Sequence, residues 1–286
     1  MKTQILAAMM ALATSAPLAA QAAAQPVEIG FSATVGGKPF RCGESYSGIG
    51  TPAATIRPSD FRFYVHDVAL IDAGGRQVPL QLDQDGLWQT RDVALLDFED
   101  GSGPCRGGNP GLNNVVKGSV PPGYYTGLAF KLGLPFDLDH GDATIAASPL
   151  NFTAMFWVWA SGYRFLKIDL AGDTANGARG RATGFAIHIA SSDCSAPQMT
   201  QRPTSCAHPN LVEVRLNAFD PQRQIVELDL ARLLAGVNTQ VNTPDTAPGC
   251  MSDQDDPDCA AIFRNLGLAF GSHPAGSQSV FQARPR

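Results

Sequence analysis

The residues of this chain best suited to chemistry are soft and nitrogenous. Beyond residue 24 lie three methionines (Met155, Met199, Met251), five histidines (His66, His140, His188, His208, His273) and the closely spaced tryptophans Trp157 and Trp159. Thioether and imidazole together suit copper, Cu(I) above all, because a soft cation prefers soft ligands. A lone histidine is more often a hydrogen-bonded structural residue, so composition permits copper without assigning it. If 155–159 is a strand, its period of two projects Met155, Trp157 and Trp159 to one face and Phe156 and Val158 to the other. Two indoles beside a thioether then form either an aromatic core or one wall of a site.

Other chemistry is poorly represented. The sequence holds no G-x-S-x-G elbow, no H-E-x-x-H, no phosphate-cradling glycine loop and no dinucleotide fingerprint, so a binding protein is expected and not an enzyme. Asp253, Asp255, Asp256 and Asp258 lack the glycine and terminal glutamate of a calcium loop and read as a solvated acidic loop. Asp97, Glu99 and Asp100 likewise read as turn and surface charge.

The N-terminus indicates the compartment. Lys2, an apolar run over 5–18 and the small residues of 20–24 form a secretory signal peptide spanning 1–24, with the mature protein at 25–286. No later stretch approaches the roughly 20 apolar residues of a membrane span. A periplasmic, soluble protein is expected. Without Lys2 the chain keeps 20 basic residues (21 − 1) against 26 acidic ones, and no basic cluster could follow a phosphate backbone, which excludes nucleic acid as a partner. All six cysteines (Cys42, Cys105, Cys194, Cys206, Cys250, Cys259) follow the leader, an even number in an oxidising compartment, and read as disulfides. Of 15 possible pairings, short Pro-containing loops favour Cys194 with Cys206 and Cys250 with Cys259, which leaves Cys42 for Cys105. A zinc or thiolate-copper site would want C-x-x-C spacing and a reducing environment, and neither is present.

The elements that must position these residues are mainly strands. Residues 27–35 alternate and reach Gly36-Gly37, a hairpin signal leading into 38–41. The run 61–70 places Phe61, Phe63 and Val65 on one face and Arg62, Tyr64 and His66 on the other. Further strands are expected at 78–82, 93–98, 124–132, 155–159, 163–170 and 185–189, with 211–216 and 225–230 as a final pair. Short helices are expected near 229–234 and 259–266. Glycine and proline supply 50 of 286 residues (29 + 21), consistent with many turns. These signals predict a mainly β chain: a single β-sandwich-like or barrel-like domain with long disulfide-stapled loops and few short helices.

Across nearly all of the mature region the sequence resembles the MbnP-like proteins, found beside methanobactin operons and as one half of a metallo-mystery pair. The matching segments are Phe61-Arg62-Phe63-Tyr64-Val65, Ala94-Leu95-Leu96-Asp97-Phe98-Glu99-Asp100-Gly101 and Ser148-Pro149-Leu150-Asn151. They continue with Met155-Phe156-Trp157-Val158-Trp159 before Gly162-Tyr163, His188 ahead of Cys194, and Gly249-Cys250-Met251-Ser252 with Cys259. The resemblance implies a periplasmic copper-binding protein that stores, buffers or delivers Cu(I); the competing readings are a copper redox or electron-transfer protein and a metal-free cell-surface binding module. It implies that Trp157 is oxidised to kynurenine by a partner di-haem protein of the cytochrome c peroxidase and MauG type. An indole N–H only donates, whereas the opened ring presents an aniline-type nitrogen and a ketone. With Trp157 as kynurenine, the implied copper ligands are His188 and Met251, with His140 and Met155 in reserve and Trp159 as a neighbour. The chain carries six cysteines where the family is described by four, so one extra pair staples a further loop.

Overall fold

The computed structural model describes residues 23–171 and 184–286. The expected leader lies outside the described residues apart from Ala23 and Ala24. Two sheets stack into a β-sandwich, and neither closes into a barrel. The smaller sheet runs Phe281–Pro285, Gln224–Asp229, Gln25–Val35, Val115–Val120 and Gln81–Leu82, with Lys38–Pro39 hairpinned onto Gln25–Val35. The larger runs Val212–Leu216, Tyr125–Leu132, Pro58–Asp72, Leu166–Leu170, Phe185–Ile189 and Gly249–Cys250. Strands 212–216 and 224–229, expected as a pair, belong to different sheets, and 224–229 pairs instead with Gln25–Val35 and Phe281–Pro285. Their local alternation was readable, but their partners are set by residues far away in sequence.

Aromatic rings fasten the two sheets. Phe31 of the small sheet meets Phe63 and Phe130 of the large one, and Phe281 meets the same two from the other side, with centroids 5.4–6.2 Å apart and tilted geometry. Each such pair adds about 0.5–1.5 kcal/mol beyond its area burial. Phe61, Phe63 and Val65 are fully buried in this interior, as their alternation requires.

The strand Pro58–Asp72 is the spine. One edge pairs with Leu166–Leu170 over its first half and with Tyr125–Leu132 over its second, while Val93–Asp97 and Gln77–Pro79 take the other edge. The two strands on the first edge meet at a single residue: Gly133 N–H donates to the Tyr64 carbonyl at 3.0 Å, and Tyr64 N–H donates to the Phe165 carbonyl at 2.9 Å. The chain therefore leaves the sheet at 133 and re-enters it at 165. The excursion between folds over the outer face of the large sheet, where Tyr64 anchors it again by donating its hydroxyl to the Pro149 carbonyl at 3.1 Å and packing edge-on against Tyr163.

Three disulfides join Cys42 to Cys105, Cys194 to Cys206 and Cys250 to Cys259, the pairing favoured by loop length. Helices are short: Phe136–Asp139, Leu230–Leu233 capped by the Asp229 carboxylate, and Ala260–Leu266. No helix among the described residues is long and apolar enough to cross a membrane.

Candidate functional site

The outer face of the large sheet carries a row of polar side chains. Asp97, Arg62, Lys167 and His188 are cross-strand partners in register on four adjacent strands, so all four project away from the Phe61 and Phe63 side. Asp60 and Asp169 occupy the next row. Water is excluded from most of this row: Arg62, Asp97 and Glu99 are fully buried, and Asp60 and His188 nearly so. Buried charges must be paired. Arg62 grips Asp60 through Nε and Nη2 and faces Glu99 at 3.6 Å, Lys167 pairs with Asp60 and, at 3.0 Å, with Asp169, and Asp169 Oδ1 lies 2.7 Å from His188 Nε2.

Asp97 and Glu99 thus overturn their reading as surface charge. Asp97 ends the strand Val93–Asp97 in register with Arg62 and Glu99 lies just beyond it, a pairing that no local signal reveals. Glu99 also accepts the backbone N–H groups of Gly101 and Asn109, and Gly108 has no room for a side chain because a Cβ there would overlap the Glu99 carboxylate. Burial pushes the Asp97 carboxyl up to about 8 and raises Glu99 as well. Burial would also raise Asp169, but the hydrogen bond from His188 and the nearby Lys167 ammonium hold it well below the usual carboxylate range.

The other end of the row reaches Trp157. The strand expected at 155–159 does not form. Thr153–Met155 is a 3₁₀ turn, Phe156 makes an isolated bridge to Tyr163, and Trp157 N–H donates to the Gly162 carbonyl across a tight turn at Val158–Ser161. Gly162 takes positive φ there and packs against Asp139, so the turn defeats the simple alternation of an apolar run. The three side chains consequently do not share a strand face: Met155 is fully buried, while Trp157 and Trp159 are half-buried.

Trp157 lies beside His188 with ring centroids 5.8 Å apart. The guanidinium of Arg164 lies over the indole, 4.5 Å from its centroid, and its Nε donates to His188 Nδ1 at 3.4 Å while Nη1 donates to the carbonyls of Ala154 and Phe156 at 3.1 Å. A guanidinium only donates, so Nδ1 carries the imidazole lone pair and Nε2–H is directed at Asp169. This is the arrangement of a histidine ligand oriented by a carboxylate behind it. A cation already rests against the lone pair, two carbonyl oxygens and an aromatic face; burial lowers Arg164 to about 10. Arg164, Asp169, Asp60 and Lys167 were not anticipated, although the alternation of Leu166-Lys167-Ile168-Asp169-Leu170 did mark two polar side chains on one strand face.

Met251 follows Cys250, which pairs in parallel register with Ile187. The Met251 backbone therefore follows just past the strand, alongside His188, and Ser252 Oγ donating to the His188 carbonyl at 2.9 Å locks the two segments together. The approach is close because Gly249 takes positive φ and a Cβ there would meet the Ala186 backbone. His140 is turned elsewhere: its Nδ1 bonds the Trp159 carbonyl at 2.9 Å, and its Nε2 faces the Cys194–Cys206 disulfide. His66 bonds the Gly133 carbonyl, and His208 lies near Asp193.

The acidic loop is only partly solvated: Asp253 and Asp255 are exposed, but Asp256 is buried as the cap of the Pro257–Cys259 turn and Asp258 binds Thr243. Among known proteins, the MbnP family model matches residues 24–252. The chain belongs to the MbnP family. MbnP from Methylosinus trichosporium superposes with a TM-score of 0.80 at 34% identity, covering 92% of this chain and 99% of that one. No curated protein matches. The MbnP match takes in the Trp157 turn, His188 and Met251, and stops just past Met251 at residue 252.

Proposed function

We propose that this MbnP-family chain is a periplasmic Cu(I)-binding protein, without enzymatic activity of its own, that stores, buffers or delivers copper. One observation carries the reading: His188 is oriented by Asp169 so that its free nitrogen faces a place where a cation, the Arg164 guanidinium, rests beside Trp157. The donor types fit Cu(I): an imidazole at His188 beside Trp157, and a thioether at Met251, whose segment is tied to the His188 backbone through Ser252. The chain of contacts from buried Asp60 through Lys167 to half-buried Asp169 orients the imidazole before any metal arrives.

Trp157 as an indole contributes no lone pair. In its conversion to kynurenine the indole C2–C3 bond is cleaved as two oxygen atoms from dioxygen or peroxide are added, and hydrolysis releases one carbon as formate; the residue gains one oxygen and loses one carbon overall, and presents a nitrogen and a ketone where the ring now lies under Arg164. A di-haem protein of the cytochrome c peroxidase and MauG class is the proposed oxidising partner, and the half-buried position of Trp157 is compatible with oxidation from outside.

The test is peptide mass spectrometry, with copper analysis, of protein isolated from its native periplasm. The reading expects the Trp157 peptide to carry the kynurenine change, copper to survive a chelator wash, and His188→Ala to release it. Unmodified Trp157 with copper retained would confine the ligands to His188 and Met251. Native protein that holds no copper would overturn the reading.

A further inference from the structure

A second constellation lies one loop away from Trp157. The strands Ser192–Cys194 and Cys206–His208 pair antiparallel with Cys194 directly opposite Cys206, and the disulfide they form is half-buried. Above it sits His140, fully buried at the end of the short helix Phe136–Asp139. A carbonyl only accepts, so the bond to the Trp159 carbonyl fixes the proton on Nδ1 and leaves the Nε2 lone pair aimed inward. That nitrogen lies 3.3 Å from Cys206 Sγ and 3.9 Å from Cys194 Sγ, and the three atoms fall within 4.8 Å of one another. Burial keeps His140 neutral by lowering its pKa. Asp139 Oδ2, 3.1 Å from the same nitrogen, is engaged by the Ser191 hydroxyl at 2.6 Å, and Asp139 Oδ1 by Tyr163 N–H.

We propose that Cys194, Cys206 and His140 form a redox-gated site for Cu(I), closed while the disulfide is intact and opened by reduction. A dithiol reductant delivers two electrons and two protons to the disulfide, becoming a disulfide itself and leaving two thiols. Cu(I) then displaces both thiol protons and binds two thiolates and His140 Nε2. Two sulfurs and one imidazole satisfy a soft cation of low coordination number. The hairpin register holds the sulfurs opposite each other once their bond is broken, and the Trp159 carbonyl holds the imidazole. The other cysteine pair near a potential ligand, Cys42 and Cys105 beside Glu99, offers a hard carboxylate oxygen, already accepting two backbone amides, in place of an imidazole, and suits a soft cation poorly. Cys105, Cys250 and Cys259 are also buried, so a mild reductant reaches Cys194–Cys206 before the other two disulfides.

The site is independent of Trp157 oxidation, so the unmodified full-length mature chain is the material to use. It is treated anaerobically with dithiothreitol, freed of reductant, and titrated with Cu(I) against a chromophoric chelator, while alkylation and peptide mapping report which cysteines are reduced. The expected result is labelling at Cys194 and Cys206, one more equivalent of Cu(I) than the oxidised chain takes, and a near-ultraviolet thiolate-to-copper band. Alkylating the reduced pair in the wild-type chain removes that equivalent without relying on a variant that must fold, and His140→Gln weakens it. The proposal is overturned by a reduced chain with no added equivalent, by an equivalent that survives alkylation, or by a disulfide that resists reduction until the chain unfolds.

Discussion

At the residue scale the decisive contacts belong to side chains with no motif of their own. Asp169 orients His188, so Asp169→Asn is expected to weaken Cu(I) binding about 10- to 100-fold, the usual cost of losing a carboxylate behind a histidine ligand. Arg164 holds the position facing Nδ1, so Arg164→Met in the unmodified chain is expected to strengthen Cu(I) binding by about tenfold or more, because a like charge leaves the site. Chelator competition on both variants separates orientation from repulsion. Asp97 sets a pH dependence. Its folded pKa of about 8 lies above the ordinary aspartate value near 4, so the folded state binds its proton more tightly. Its contribution to stability is therefore complete below about pH 4 and is lost as pH rises towards about 8. Urea unfolding from pH 4 to 9 should show that decline, and Asp97→Asn should flatten it.

At the element scale the spine strand was legible because its alternation is strict: Phe61 and Phe63 went inward and Arg62 and Tyr64 outward as read. The 155–159 segment misled for a definite reason. An apolar run that is buried under a turn looks like a buried strand, and the hydrogen bond from Trp157 N–H to the Gly162 carbonyl is fixed by a glycine at positive φ, not by periodicity. His188 and Trp157 were readable as partners through their resemblance to a family, whereas Arg164 between them was not, since a single arginine between Tyr163 and Phe165 carries no motif. The Gly249–Cys250 strand supports Met251 through a backbone approach that excludes a side chain. Gly249→Ala is expected to cost about 1–3 kcal/mol or more from left-handed backbone strain and collision with Ala186. Thermal melting reports the first effect, and a parallel loss of copper affinity reports displacement of Met251.

At the scale of the whole molecule, leader, cysteine count and strand content were enough for a secreted, disulfide-stapled β-sandwich as an expectation. Strand order was not, because Gln25–Val35 pairs in parallel with a strand almost 200 residues later, and such partners are chosen by the packed core. The Cys42–Cys105 bridge spans 63 residues and ties the start of the sandwich to the loop that buries Glu99. Its loop-closure entropy amounts to about 4 kcal/mol. Replacing both cysteines with serine should lower the unfolding free energy by about 2–5 kcal/mol in denaturant titration.

The chain leaves the large sheet at Gly133 and returns at Phe165 on the two backbone groups of one residue, Tyr64. An insertion whose ends meet at a point can be lengthened, shortened or exchanged while the ladder on either side stays in register. The sandwich beneath supplies a fixed imidazole and a fixed row of charges, and the excursion supplies the tryptophan that faces them. Relatives built on this plan can therefore keep one scaffold and vary the chemistry above it, as a socket accepts different inserts.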